Sequence, residues 1–237
     1  RYGPLSASRD GAVIAPSAIV FDFNGTLSDD EELLAELFVH IFAEIGVAVT
    51  RKLYFSDYAG LSDPEIVASV CERNGRGGED GLVERLLHRR TELYLAAVAE
   101  HSPVHPKAAD FARRAAERVP VAIASGAARE EIEAVLQSAA LRALFPVLVA
   151  AEDVTRGKPD PEGYLLALRL LSEHTGRSFD PATVLAFEDS VAGLRAARAA
   201  GMRCIVVAGT VEPEQVAEAE CMVPALDWSI PLLGGWS

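Results

Sequence analysis

The strongest constraint in this chain is a series of short, nearly unbroken apolar runs, each stopped by a Gly, a Pro or a polar residue. They fall at 19–23, 121–124, 147–150, 184–187 and 204–207. A strand with one wet face alternates apolar and polar residues, whereas an unbroken run fits a strand covered on both faces. The stretches between the later runs repeat with a helical period. "REEIEAVLQSAAL" sets Ile132, Val135, Leu136 and Ala139 at i, i+3, i+4 and i+7. "DPEGYLLALRLL" places Asp160 as N-cap and Pro161 at the first helical position, with Leu165, Leu168 and Leu171 on the apolar face. "SVAGLRAARAAG" closes on Gly201, a natural residue just past a helix end. Buried strands alternating with amphipathic helices predict an α/β fold: a Rossmann-like three-layer core around a parallel sheet.

Residues 28–99 break this rhythm, because helical patterns follow one another there without an intervening strand. "DDEELLAELFVHIFAEIG" puts Leu33, Leu37, Phe38, Ile41 and Ile45 on one stripe. Asp63, Pro64 and Glu65 read as a second helix start, and "GLVERLLHRRTELYLAAVAE" as a third helix after the connector "NGRGGEDG". The expected division is therefore a core of 1–27 with 100–237, and an all-α insert at 28–99.

Charge and cysteine content narrow the partners. The net charge is −13, from 22 basic against 35 acidic residues, which disfavours nucleic acid and anionic membrane surfaces as partners. An anionic substrate then needs a local cation or a metal. The three cysteines (Cys71, Cys204 and Cys221) form no CxxC pair, which fits neither a disulfide framework nor a zinc site and suggests a reducing, cytoplasmic setting. No apolar run reaches the roughly 18 residues of a membrane span. The N-terminal "RYGPLSASRDGAVIAPS" lacks the apolar centre of a signal peptide and reads as a loose or trimmed leader.

Ligands of an open parallel sheet bind beyond the carboxyl ends of its strands, so the polar residues there belong together. The first run ends at Asp22 in "IVFDFNGTL", a carboxylate that is costly to bury unless paired, and otherwise a loop cap. The second run leads through Ser125 and Gly126 directly into a helix, which makes either a phosphate-holding helix end or a plain N-cap. Lys158, in "RGKPDPEGY", is a point charge for a phosphate or an exposed loop lysine. The fourth run ends in Glu188 and Asp189, a carboxylate pair suited to a hard cation such as Mg2+, or a helix cap with a spare charge. His40, His88, His101, His105 and His174 have no metal-ligand spacing. Trp228 and Trp236 read as packing residues, and Arg129 as a solvent-facing helix residue.

The order of these features, strand-DxxGT, strand-SG, loop-GKP and strand-ED, with a helical insert after the first strand and "AGM" at 200–202, resembles the haloacid dehalogenase superfamily, near its phosphoglycolate phosphatase and β-phosphoglucomutase subgroup. The resemblance implies a Mg2+-dependent phosphatase or phosphotransferase acting on a small phosphorylated metabolite, as a monomer or homodimer. Asp22 would be the nucleophile, forming an aspartyl-phosphate. The metal would sit on Asp22, the carbonyl of Asn24, Asp189 and Glu188, the last directly or through water. Ser125, Gly126, Lys158 and Thr26 would hold phosphoryl oxygens, Lys158 would also restrain Asp22, and Gly25 would permit the turn. The insert would be a cap that closes over the site and reads the substrate.

One position departs from the pattern. The family's phosphatases carry a second Asp where this chain has Asn24, and an amide cannot shuttle a proton. Four readings stay open: a substitution introduced to trap substrate, a good leaving group such as an acyl phosphate, another acid (Asp29, Asp30, Glu31 or Asp63), or a member that binds phosphate ligands without turnover. Phosphonatases need a cap lysine, and the insert holds only Lys52. Dehalogenases lack the pair that Glu188 and Asp189 supply. A sugar-phosphate mutase is weakened by Asp63 and Leu34, which fall where an Arg and a His are expected.

Overall fold

The computed structural model describes residues 15–58, 61–209, 211–227 and 230. Most of the leader, Ala59 and Gly60, and both tryptophans lie outside the described residues. The described residues up to Asp29 and from Pro103 onward form one compact unit, and those of Asp30–Ser102 a second.

The first unit is built on a six-stranded sheet in the order β3-β2-β1-β4-β5-β6, with every neighbouring pair parallel. The strands are β1 (Ala18–Phe21), β2 (Val121–Ala124), β3 (Val147–Val149), β4 (Val184–Glu188), β5 (Arg203–Val207) and β6 (Cys221–Val223). Both faces are covered, which explains the unbroken apolar runs. On one face Phe21 stacks on Phe187 at 5.4 Å, with Phe111 and Phe145 edge-on. On the other face small side chains (Ala18, Ala122, Ala124, Ala186) let helices α7 (Glu162–Thr175) and α8 (Val191–Ala199) seat Tyr164, Leu168, Leu171 and Leu194 against the sheet.

Register places the strand ends together. Phe21 is level with Ile123 on one side and Phe187 on the other. Asp22, Ser125 and Glu188 therefore leave the sheet at one edge. After β3 the chain crosses to the far side of β1 to form β4, so β1 and β4 flank the point where strand order reverses, where such sheets open a crevice.

Several expectations are corrected. β6 was not read from the sequence, because a three-residue edge strand carries too little period. Nor was α5 (Pro106–Ala116), whose buried face is mostly alanine. Pro161 is the N-cap of α7 rather than its first residue, while Asp160 accepts a hydrogen bond from the Glu162 N–H at 3.0 Å. Leu165 is exposed; the buried stripe is Tyr164, Ala167, Leu168 and Leu171. After Gly126 the chain takes two more residues before α6 (Arg129–Ser138) begins, so Ser125 does not lead directly into a helix.

The second unit holds α1 (Glu31–Glu44), the short α2 (Arg51–Leu53), α3 (Asp63–Arg73) and α4 (Leu82–Glu100). In α1 the buried stripe is Leu34, Leu37, Phe38, Ile41 and Phe42; Leu33 and Ile45 are only partly covered. The Glu65 carboxylate accepts from the Ser62 N–H at 2.9 Å and from the Ser62 hydroxyl at 2.6 Å, which fixes the start of α3. Along α4 the buried positions Leu82, Leu86, Arg90, Tyr94 and Val98 recur every fourth residue, with an arginine in the middle of an apolar stripe. Arg90 is held there by Asp63 at 3.1 Å and by the faces of Tyr94 and Phe38.

Candidate active site

Asp22 is the first residue past β1, with its N–H bonded to the Phe187 carbonyl at 2.9 Å. That bond carries it past the last sheet pair, where its carboxylate meets the Lys158 ammonium. Lys158 comes from the loop after β3, beside a cis peptide to Pro159. Its ammonium also reaches Glu188 Oε1 at 2.5 Å. Asp22, Glu188 and Asp189 each offer a carboxylate oxygen, all within 4.8 Å of one another.

Close packing of glycine makes this crowding possible. Gly25 has φ +72°, and a Cβ there would overlap the Asp189 carboxylate. Gly193, in the first turn of α8, leaves room for the Glu188 carboxylate in the same way. Ser190, rather than Asp189, caps α8 through its hydroxyl, which leaves Asp189 for the site.

Burial, followed by repulsion from Glu188, pushes Asp22 up to about 7. Burial and the charges of Asp22 and Glu188 push Asp189 to about 8. Burial works against the Lys158 ammonium, but Asp22 and Glu188 outweigh it and hold its pKa above the usual lysine value. One ammonium thus faces three carboxylates. An all-oxygen donor set with surplus negative charge fits a hard divalent cation, which would offset that repulsion.

Ser125 ends β2 with its N–H on the Val149 carbonyl; its hydroxyl accepts from the Ala127 N–H at 3.1 Å and keeps its own proton to donate. Gly126 is exposed beside it. Thr26 Oγ1 and Ser28 Oγ are buried in the turn after Asp22, without a hydrogen-bond partner among the described residues. Asn24 lies in that turn and bridges to Ser28.

Among the acids considered as replacements, Asp29 is exposed. Asp30 accepts from the Tyr94 hydroxyl at 2.5 Å, Glu31 is bonded by Tyr54, and Asp63 pairs with Arg90. Arg129 is not a free surface arginine: it pairs with Asp153 and donates to the Leu148 carbonyl at 3.2 Å. His105 caps α5 through Nδ1. Sequence reasoning overlooked Tyr164, whose hydroxyl donates to Glu188 Oε1 at 2.6 Å. The spacing 164, 167, 168, 171 carries the signal, since it puts a phenol on the buried face six residues after Lys158.

Such an arrangement can place an anionic nucleophile, a cation and a hydroxyl donor around one phosphoryl group. The sequence matches the family described as haloacid dehalogenase-like hydrolase over residues 16–201. It is 32% identical to Protein CbbY of Rhodobacter capsulatus over 225 residues, 90% of this chain and 92% of that protein. It is 33% identical to hexitol phosphatase B of Escherichia coli K12 over 194 residues, 80% of this chain and 82% of that one. In structure it is similar to CbbY of Rhodobacter sphaeroides, solved as an Asp-to-Asn variant in complex with xylulose-1,5-bisphosphate: TM-score 0.77, 31% identity, 90% of this chain and 96% of that chain.

Proposed function

The chain belongs to the haloacid dehalogenase-like hydrolases and is a hydrolase of the phosphoric monoester class, and from that premise we propose that it takes phosphate from a small sugar or polyol phosphate through Asp22. The observation that carries this reading is the meeting of Asp22, Lys158, Glu188 and Asp189 from three separate strand ends. The names of the hexitol phosphatase and of the CbbY complex support a polyhydroxylated substrate.

In this reading the Asp22 carboxylate attacks phosphorus, the bond to the leaving oxygen breaks, and an aspartyl-phosphate forms. Lys158 holds Asp22 in line and neutralises phosphoryl charge, and the Ser125 hydroxyl donates to a phosphoryl oxygen. Asp22, Asp189 and the Asn24 carbonyl would hold Mg2+, with the charge of the enclosed Glu188 behind them; when bound, the ion supplies positive charge to the phosphoryl group. Water then releases phosphate from Asp22. Asn24 cannot carry the proton for either half, so the leaving oxygen must be a good one or take its proton from water.

The test is phosphate release from a panel of hexitol, pentulose and acyl phosphates, with and without Mg2+, by this chain and by Asn24→Asp. Release that requires Mg2+ is expected, and its absence from both chains across the panel would defeat the proposal. Asn24 favours a second reading, in which the chain binds a phosphate ligand without turning it over. That reading expects Mg2+-dependent ligand binding and no phosphate on Asp22 by mass spectrometry after acetyl phosphate treatment.

A further inference from the structure

The Glu188 carboxylate is completely enclosed. Oε1 accepts from the Tyr164 hydroxyl at 2.6 Å and meets the Lys158 ammonium at 2.5 Å. Oε2 accepts from the Ser190 hydroxyl at 3.1 Å and from the Asp189 N–H at 3.3 Å. On its remaining side the backbone of Gly193 is close enough to exclude a Cβ. Glu188 has no accessible surface. Its orientation is therefore set by these neighbours.

Tyr164 touches the site twice. Besides the bond to Glu188, its ring face lies 5.5 Å from the Lys158 nitrogen. The phenol is buried on α7, a long helix packed on the sheet, so it is a rigid reference for two groups that come from a loop and a strand end. A lysine stem of four carbons has many rotamers, and an ammonium between two carboxylates can lean to either one. The phenol O–H occupies the second lone pair of Oε1, and the ring occupies the space beneath the ammonium. Both contacts are made with the ammonium in the position that also meets Asp22.

We propose that Tyr164 is a positioning residue of the phosphoryl-transfer site, fixing Glu188 through its hydroxyl and Lys158 through both its ring and Glu188. The proposal rests on the reading of Asp22 as the phosphate acceptor. It extends the functional set beyond the strand-end motifs to a residue inside a helix, and it predicts a requirement for the phenol oxygen that packing alone would not impose. Phenylalanine fills the same volume and keeps the ring under Lys158, but gives Oε1 one donor fewer.

The experiment measures uptake of beryllium fluoride with Mg2+ by 19F NMR, a phosphoryl mimic on Asp22 that requires neither turnover nor a proton carrier at Asn24. Loss of such an outer contact typically costs about tenfold or more, so Tyr164→Phe should bind the mimic roughly tenfold more weakly with its fold intact by circular dichroism. Tyr164→Leu, which loses ring and hydroxyl, should bind it more weakly still. A Tyr164→Phe chain with a lower Tm but unchanged affinity would make the residue merely structural and overturn the proposal. If the unsubstituted chain takes up no beryllium fluoride, the Asp22 reading itself fails and the proposal falls with it, an outcome distinct from equal binding by both chains.

Discussion

Both units of this chain bury charge, and they arrange it differently. At the strand ends of the core, Lys158 faces Asp22, Glu188 and Asp189, and two of those acids are driven up to about 7 and about 8. In the helical unit, Arg90 is matched by Asp63 and sandwiched between aromatic rings, while Asp30 and Glu31 are bonded by Tyr94 and Tyr54. The second arrangement also sets several acids around one cation, and burial with mutual repulsion raises Glu31 and Asp63, but its guanidinium and phenols lie along packed helices. The first brings three carboxylate oxygens within 4.8 Å of one another at the strand ends, a spacing that one cation could span. The difference teaches that neither burial of charge nor a raised carboxylate is itself a functional mark; convergence of ligand atoms on one point says more.

The sharpest way to break the comparison is at Asp22. Asp22→Asn should abolish any aspartyl-phosphate seen by mass spectrometry after acetyl phosphate treatment, while Arg90→Met should leave it in place. A phosphorylated Asp22→Asn chain would move the acceptor elsewhere. The next largest effect is expected from Asn24→Asp, which restores a proton carrier and should raise the rate of phosphate release about 10²–10⁴-fold in a steady-state assay.

The helical unit should answer through stability instead. Arg90→Ala leaves Asp63 without its partner and removes packing against two rings; chemical denaturation should find a loss of about 2–3 kcal/mol, tempered because Asp63 is still partly exposed. Pairing it with Asp63→Asn should recover part of that loss. No recovery would mean the aromatic contacts, not the ion pair, carry the effect.

The smallest effect is a pH dependence, to which Glu31 and Asp63 of the helical unit add because burial raises them too. Asp22 and Asp189 are raised above their ordinary 3.8 in the folded chain, so between that value and about 7–8 the folded state holds protons that the unfolded state has released. Their contribution to stability is therefore favourable below that window and is lost as pH rises through it. Thermal melts without metal should show Tm falling from pH 5 to pH 8, and the gain from added Mg2+ should be larger at pH 8. A Mg2+ gain that is equal at both values would detach the metal from these carboxylates.

Much of this was legible in the chain. Asp22, Glu188 and Asp189 stand out because each interrupts or ends an apolar run, and burying such a residue demands a reason; Lys158 stands out only by its place in the order of motifs, since it lies in a polar loop. Tyr164 was harder to read because a phenol on a helix looks like packing; its partner Glu188 is twenty-four residues away. Arg90 was hidden for the opposite reason, since a charged residue in a helix reads as surface until its stripe is followed through Leu82, Leu86, Tyr94 and Val98. Leu165 misled because leucine spacing was allowed to outweigh the tyrosine beside it.

By itself the sequence determined the layered α/β core, the helical insert and the residues at the ends of β1, β2 and β4, because periodicity and chain-breaking residues act over a few positions and are written locally. Only the tertiary structure decided which of those residues touch. The Lys158–Asp22 pair spans 136 positions and exists because β4 docks beside β1 after the chain crosses over from β3. Whether buried carboxylates converge on one point depends on such neighbours: in the helical unit they meet a guanidinium and phenols, and at the strand ends three of them come within 4.8 Å of one another.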